Sequence, residues 1–111
     1  MREFKSGATR DDDSGKLDYE GFLSPLVLKR YAEYLNKHRV QADGGLRDSD
    51  NWQRGMDESV YMKSKMRHIM DTWLIHRGLS ACAVNGDIEE SLCAELFNTM
   101  GMLYELLKRK G

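Results

Sequence analysis

Three stretches of this 111-residue chain repeat apolar residues every three to four positions, and each opens on a residue suited to start a helix. That pattern predicts an all-α fold built from three main helices. Ser24 followed by Pro25 is a serine N-cap with proline at the first helical position. The helix it starts is expected to run to about Arg39, with Leu28, Tyr31, Ala32 and Leu35 on one face and Glu33 roughly opposite. A second helix is expected from near Asp57 to Gly78, a C′ glycine, with Met62, Met66, Ile69, Met70 and Trp73 as its core stripe. Asp87 caps the third, and Glu90 completes a capping-box pair. Its stripe is Leu92, Leu96, Met100, Leu103 and Leu107, and Lys108, Arg109 and Lys110 suit the negative end of the helix dipole.

Between these helices the chain is polar. Residues 1–22 show no period and read as an extended arm or ordered loop, in which the aspartates at 11, 12 and 13 form a solvated charge run. Residues 40–57 read as a long loop with turn chemistry at Asp43-Gly44-Gly45. Trp52 argues against disorder there, because an indole seeks burial or a stacking partner. The whole, residues 1–111, is expected to be one domain. Three helices make a thin core, so helices of a second chain are expected to complete a bundle, most simply in a homodimer. Ala94, Asn98 and Gly101 lie along a separate line of the third helix. Small residues there admit another backbone closely, and Asn98 would then need a hydrogen-bond partner.

The 17 basic and 18 acidic residues give a net charge of −1, which argues against a general binder of nucleic-acid polymers. Any anion site must be a local cluster. No apolar run approaches membrane-spanning length, and the first residues have no signal-peptide core. Cys82 and Cys93 are too few for a disulfide framework or a zinc site, which points to structural thiols in a reduced, cytoplasmic protein.

The second helix places Ser64, Arg67 and Asp71 at i, i+3 and i+7, with His68 beside them. Arg67 can bind phosphate, Asp71 a divalent cation, and His68 can donate to phosphate or accept a proton. The plain alternative is a surface ion pair between Arg67 and Asp71. In "GKLDYEGF", Lys16, Asp18 and Glu20 bracket apolar residues. They make either an arm anchored by its aromatics or one that folds over a pocket and offers Lys16 to an anion and Glu20 to a metal. In "LRDSDNWQRG", Arg47, Asn51, Trp52 and Arg54 combine stacking with phosphate-binding groups. No GxxxxGK[ST], GxGxxG or GxSxG sequence is present.

Four words, "SGATRDDDSGKLDYEGFLSPLVLKRYAEYLNKHR", "DSDNWQRG", "YMKSKMRHIMDTWLIHRG" and "SLCAELFNTMGMLYELLKR", cover nearly the whole chain. Together they resemble the phage family named for the N-terminal domain of a dATP/dGTP diphosphohydrolase, which is placed near the MazG-like all-α nucleotide pyrophosphohydrolases. The resemblance implies a helical oligomer acting on a purine nucleotide with Mg²⁺ or Mn²⁺, releasing a nucleoside monophosphate and pyrophosphate in the host cytoplasm. Read as an enzyme, the chain would use Asp71 and His68 as catalytic groups, with Asp71 and either Glu20 or a carboxylate of the third helix on the metal. Lys16, Asp18, Arg47, Asn51, Trp52, Lys63, Ser64, Arg67 and Asn98 would then bind the nucleotide.

MazG-like enzymes bring four carboxylates together through ExxE and ExxD pairs. Here no helix has ExxE, and "DIEESLCAE" offers only Glu89, Glu90 and Glu95 at an awkward spacing. A second class of function therefore stands beside the enzyme: a phage protein that binds a nucleotide-derived immune signal and sequesters it uncleaved. A helical interaction module is the third, and it leaves the polar line of the second helix without a purpose.

Overall fold

The computed structural model describes residues 2, 3, 7, 9, 10 and 15–111. The aspartates at 11–13 lie outside the described residues. Four α-helices carry the fold: α1 (Tyr19–Phe22), α2 (Pro25–Lys37), α3 (Glu58–His76) and α4 (Ile88–Lys110). The arm adds a two-residue antiparallel ladder, Arg2–Glu3 with Thr9–Arg10, so the fold is all-α in every element that packs. Within the arm, α1 is one short turn capped by Asp18, whose carboxylate accepts from Gly21 N at 2.9 Å.

The caps set the helix bounds. Ser24 Oγ accepts from Val27 N at 3.1 Å, and Pro25 follows at the first position of α2. Gly78 ends α3 with φ of 77°, a left-handed conformation that glycine takes without strain. Its N–H reaches Ile75 O at 3.0 Å, and Leu79 N reaches Leu74 O at 2.8 Å, which closes a Schellman turn. Asp87 accepts from Glu89 N at 3.0 Å and Glu90 N at 3.3 Å. The expected reciprocal half of that box does not form, because the Glu90 carboxylate is drawn to Lys37 and Arg30 on α2 instead.

The main packing is α3 against α4, two antiparallel helices, and the face they share differs from the expected one. Tyr61 (1% exposed) of α3 packs on Gly101 of α4; Asp71 (6%) of α3 and Ser91, Ala94, Asn98 and Gly101 of α4 are all buried. Gly101 has no side chain to hold Tyr61 off, and Asn98 Nδ2 donates to Ser64 Oγ at 3.3 Å and to Ala94 O at 2.9 Å. The small-residue line thus draws α3 close, and Asn98 has the partners its burial requires. Most of the stripes expected to be core are left outside in the single chain: Met66 is 52% exposed, Trp73 60% and Leu103 52%, whereas Ile69 and Met100 are half-buried. Close approach along small residues fixes the pair, and most of each longer apolar stripe is turned aside.

Helix α2 lies against α4 by a smaller contact. Arg30 Nε donates to Glu89 Oε1 at 2.6 Å, Lys37 pairs with Glu90, and Tyr31 OH lies 3.6 Å from Met100 Sδ. Tyr31 and Leu35 are half-buried, whereas Leu28 and Ala32 are exposed. Glu33 points outward and pairs with Lys29 at 3.7 Å. No described helix is long and apolar enough to cross a membrane.

Candidate functional site

A cavity of about 380 Å³ opens where the C-terminal end of α2, the loop after it, α3 and α4 come together. That volume is in the range of small-molecule sites. The loop's own chemistry positions its side chains. Gln41 N bonds to Gly45 O at 2.8 Å, and Gly45 N bonds to Asp43 Oδ1 at 2.8 Å, with Gly44 at φ 86°. This turn brings Arg47 back to Arg39, where Arg47 N donates to Arg39 O and Arg39 Nε donates to Arg47 O, each at 2.8 Å. Two arginines are therefore fastened side by side at the cavity wall.

The chain then makes one 3₁₀ turn (Asn51–Arg54), which turns Asn51 and Trp52 into the wall. Trp52 is held edge-on to Tyr104 of α4, with ring centroids 4.7 Å apart at 78°. Behind it, Gly55 at φ 78° lies so close to Glu105 that a Cβ would stand 2.3 Å from Oε1. A side chain there would have to displace the Glu105 carboxylate and hold a left-handed conformation that L side chains rarely adopt. Trp52 consequently does both of the things a loop tryptophan can do: it pins the loop to the core, and it presents indole surface to the cavity.

From α3, Val60, Ser64, Arg67 and His68 line the cavity, and from α4, Phe97 and Asn98. The amide nitrogen of Asn98 is committed to Ser64 and Ala94, so its oxygen is the polar atom the side chain still has to offer. Tyr34 and His38 complete the wall from α2, their rings 4.3 Å apart. Burial, then the nearby Glu90 carboxylate, pushes the Tyr34 phenol above its ordinary value, so it serves as a neutral hydrogen-bonding group.

Three arginines (39, 47 and 67) and two histidines (38 and 68) thus face Asp48 as the lining carboxylate. In a chain of net charge −1 this is the local basic cluster that an anion site demands. Among the described residues, neither Arg47 nor Arg67 is paired with a carboxylate.

Of the residues singled out by sequence, Arg47, Asn51, Trp52, Ser64, Arg67, His68 and Asn98 share this cavity. Lys16, Asp18, Glu20, Lys63 and Asp71 do not line it. Lys16 and Glu20 are exposed on the arm and α1, Asp18 caps α1, and Lys63 is exposed on α3. Asp71 has a different task. Its Oδ1 accepts from Val84 N at 3.0 Å and its Oδ2 from Asn85 N at 3.1 Å. Both oxygens tie the α3–α4 connection down, and the expected alternative, an Arg67–Asp71 ion pair, does not form. Of the two carboxylates assigned to the divalent cation that the resemblance implies, Asp71 thus has both oxygens engaged by backbone N–H groups, and Glu20 is exposed on α1.

Tyr34, His38, Arg39, Asp48 and Phe97 are lining residues that sequence reasoning missed. The i, i+4 spacing of Tyr34 and His38 was a signal, on the edge of the α2 face adjoining Leu35. Cys93 is buried, and desolvation raises its thiol above the ordinary value, as befits an inert core cysteine. Comparison of the chain with family models, curated proteins and solved structures returns no match.

Proposed function

We propose that this cavity binds a purine nucleotide or a nucleotide-derived small molecule. The observation that carries the reading is the convergence of Arg39, Arg47, Arg67 and two histidines with the rings of Trp52, Tyr34 and Phe97 on one cavity of nucleotide-compatible size. Arginines grip phosphate oxygens through paired N–H donors, and an aromatic face accepts a base with little sequence demand. The Ser64–Asn98 pair between them offers the neutral donors and acceptors that read a sugar or base edge.

Binding without cleavage is the form the geometry supports best. A pyrophosphohydrolase would have to gather carboxylates on a divalent cation, and among the described residues the cavity lining supplies Asp48. A phage-encoded protein of this kind would act by holding a nucleotide signal away from its receptor.

The test is titration with a panel of purine mono-, di- and triphosphates and cyclic dinucleotides, with and without Mn²⁺, reading both bound intact ligand and released products. Tight binding with the ligand recovered whole supports sequestration. Release of monophosphate and pyrophosphate would place the chain with the dATP/dGTP diphosphohydrolases instead. No binding to any member would end the nucleotide reading.

A further inference from the structure

We infer that the polar pair on the cavity floor, Asn98 Oδ1 beside the Ser64 hydroxyl, takes the amino and ring-nitrogen edge of an adenine, so that the nucleotide is held base inward with its phosphates at the mouth. This rests on the nucleotide reading of the cavity and names the base it takes.

Among the described residues, Asn98 is the one member of the lining that is buried, at 3% exposed. Chemistry fixes which way its amide points. The Ala94 carbonyl can only accept, so the atom 2.9 Å from it must be the nitrogen, Nδ2. The second hydrogen of Nδ2 goes to Ser64 Oγ at 3.3 Å. Both donors of Asn98 are thereby spent, and Oδ1 accepts from no described residue. Ser64 Oγ, having accepted from Asn98, keeps its own hydrogen, which no described residue takes up. The floor therefore offers one acceptor and one donor side by side.

A ligand that fills this floor must answer both atoms. Phosphate does not, because its oxygens would face Oδ1 oxygen to oxygen. The groups suited to phosphate, Arg47 and Arg67, are exposed at the mouth. Half-buried Tyr34, Trp52 and Phe97 give the deeper wall flat surface for a ring. The pairing edge of adenine carries an amino N–H donor, then a ring-nitrogen acceptor, then an apolar C–H. Guanine, cytosine and uracil each carry a further polar group where adenine has that C–H. Adenine is thus answered in full by Asn98 Oδ1 and the Ser64 hydroxyl, with its C–H against the apolar wall. Any of the others would carry its additional polar group in beside Phe97, where Asn98 has no donor left to meet it.

Isothermal titration of the full chain with ADP, GDP, CDP and inorganic pyrophosphate tests this. ADP should bind about tenfold or more tightly than GDP or CDP, the discrimination expected when a buried polar group is left unpaired. ADP dimethylated on its amino nitrogen has no N–H for Asn98 Oδ1 and should bind as weakly as GDP. Ser64→Ala should erase most of the preference for ADP and leave pyrophosphate affinity unchanged, while Ser64→Thr, which keeps the hydroxyl, should retain the preference. The dimethylated ligand asks the same question of the unaltered chain, so a poorly folded variant does not spoil the test. GDP bound as tightly as ADP, full affinity for dimethylated ADP, or a folded Ser64→Ala chain that keeps the preference would each overturn the base assignment and leave a nucleotide site standing. Nucleotides bound no better than pyrophosphate would remove the nucleotide reading itself, and this inference with it.

Discussion

Gly101 lies directly against the ring of Tyr61: a Cβ on Gly101 would stand 2.5 Å from Tyr61 Cε1 and 2.8 Å from its hydroxyl oxygen. Tyr61 is 1% exposed and has nowhere to retreat. Gly101→Ala should therefore destabilise the chain by about 1–3 kcal/mol through overpacking, less up to about 1 kcal/mol of helix propensity regained. The midpoint of urea unfolding measures the net. A more stable variant would mean that α3 and α4 can separate at that point without loss.

Arg67 and Asp71 should behave oppositely. Arg67→Ala removes a cavity cation that no described carboxylate pairs with, so nucleotide affinity should fall about tenfold or more while the melting temperature changes little. Asp71→Asn weakens two backbone hydrogen bonds to the α3–α4 connection. It should cost about 1–3 kcal/mol of stability and leave affinity near wild type. Paired titrations and melts of the two variants decide, and loss of binding in Asp71→Asn at unchanged stability would return Asp71 to the site.

Acid should loosen α2 by way of Glu90. The hydrogen bond from Lys37, with help from the Arg30 charge, holds the Glu90 carboxyl below its ordinary value of 4.5. Its folded pKa thus lies below its unfolded one. The stability it contributes is fully present above about 4.5 and is lost as the pH falls through the lower folded value. Denaturant midpoints from pH 7 downward should fall in that window, and Glu90→Gln should flatten the fall. An equally steep fall in Glu90→Gln would assign the acid sensitivity elsewhere.

Trp52 should report the cavity. In a Trp73→Phe chain the remaining indole lines the site, so its emission should change when nucleotide binds. Tyr104→Leu removes its edge-on partner and should cost about 0.5–1.5 kcal/mol beyond the lost area. Emission that stays flat at saturating ligand would leave Trp52 a loop anchor alone.

The helix bounds were legible because their signals are local: Ser24-Pro25, Asp87 and Gly78 each act within one turn. The buried face of α3 was not. Apolar pattern singles out Met62, Met66 and Trp73, but it cannot say that Gly101 and Ala94 let Tyr61 and Ser64 in first. The same limit runs through the site. Ser64, Arg67, His68 and Asn98 could be grouped because they share faces of regular helices, and Trp52 stood out by its loop setting. Arg39 was passed over because its place depends on a turn pairing it with Arg47 eight residues on. Lys16 and Glu20 were grouped with the site by supposing that the arm folds over it, and nothing local dictates where an arm comes to rest.

The slender attachment of α2 has a kinetic consequence. Tyr34, His38 and Arg39, at the end of α2 and just beyond it, wall the cavity, yet α2 is fastened to α4 chiefly at Arg30, Tyr31 and Lys37. Any ligand that bridges Arg39 and Arg67 binds better with that helix docked, and its binding favours the docked helix by the same factor. Amide exchange along α2 should therefore slow when such a ligand binds, and salt, which loosens the ion pairs that fasten α2, should speed it.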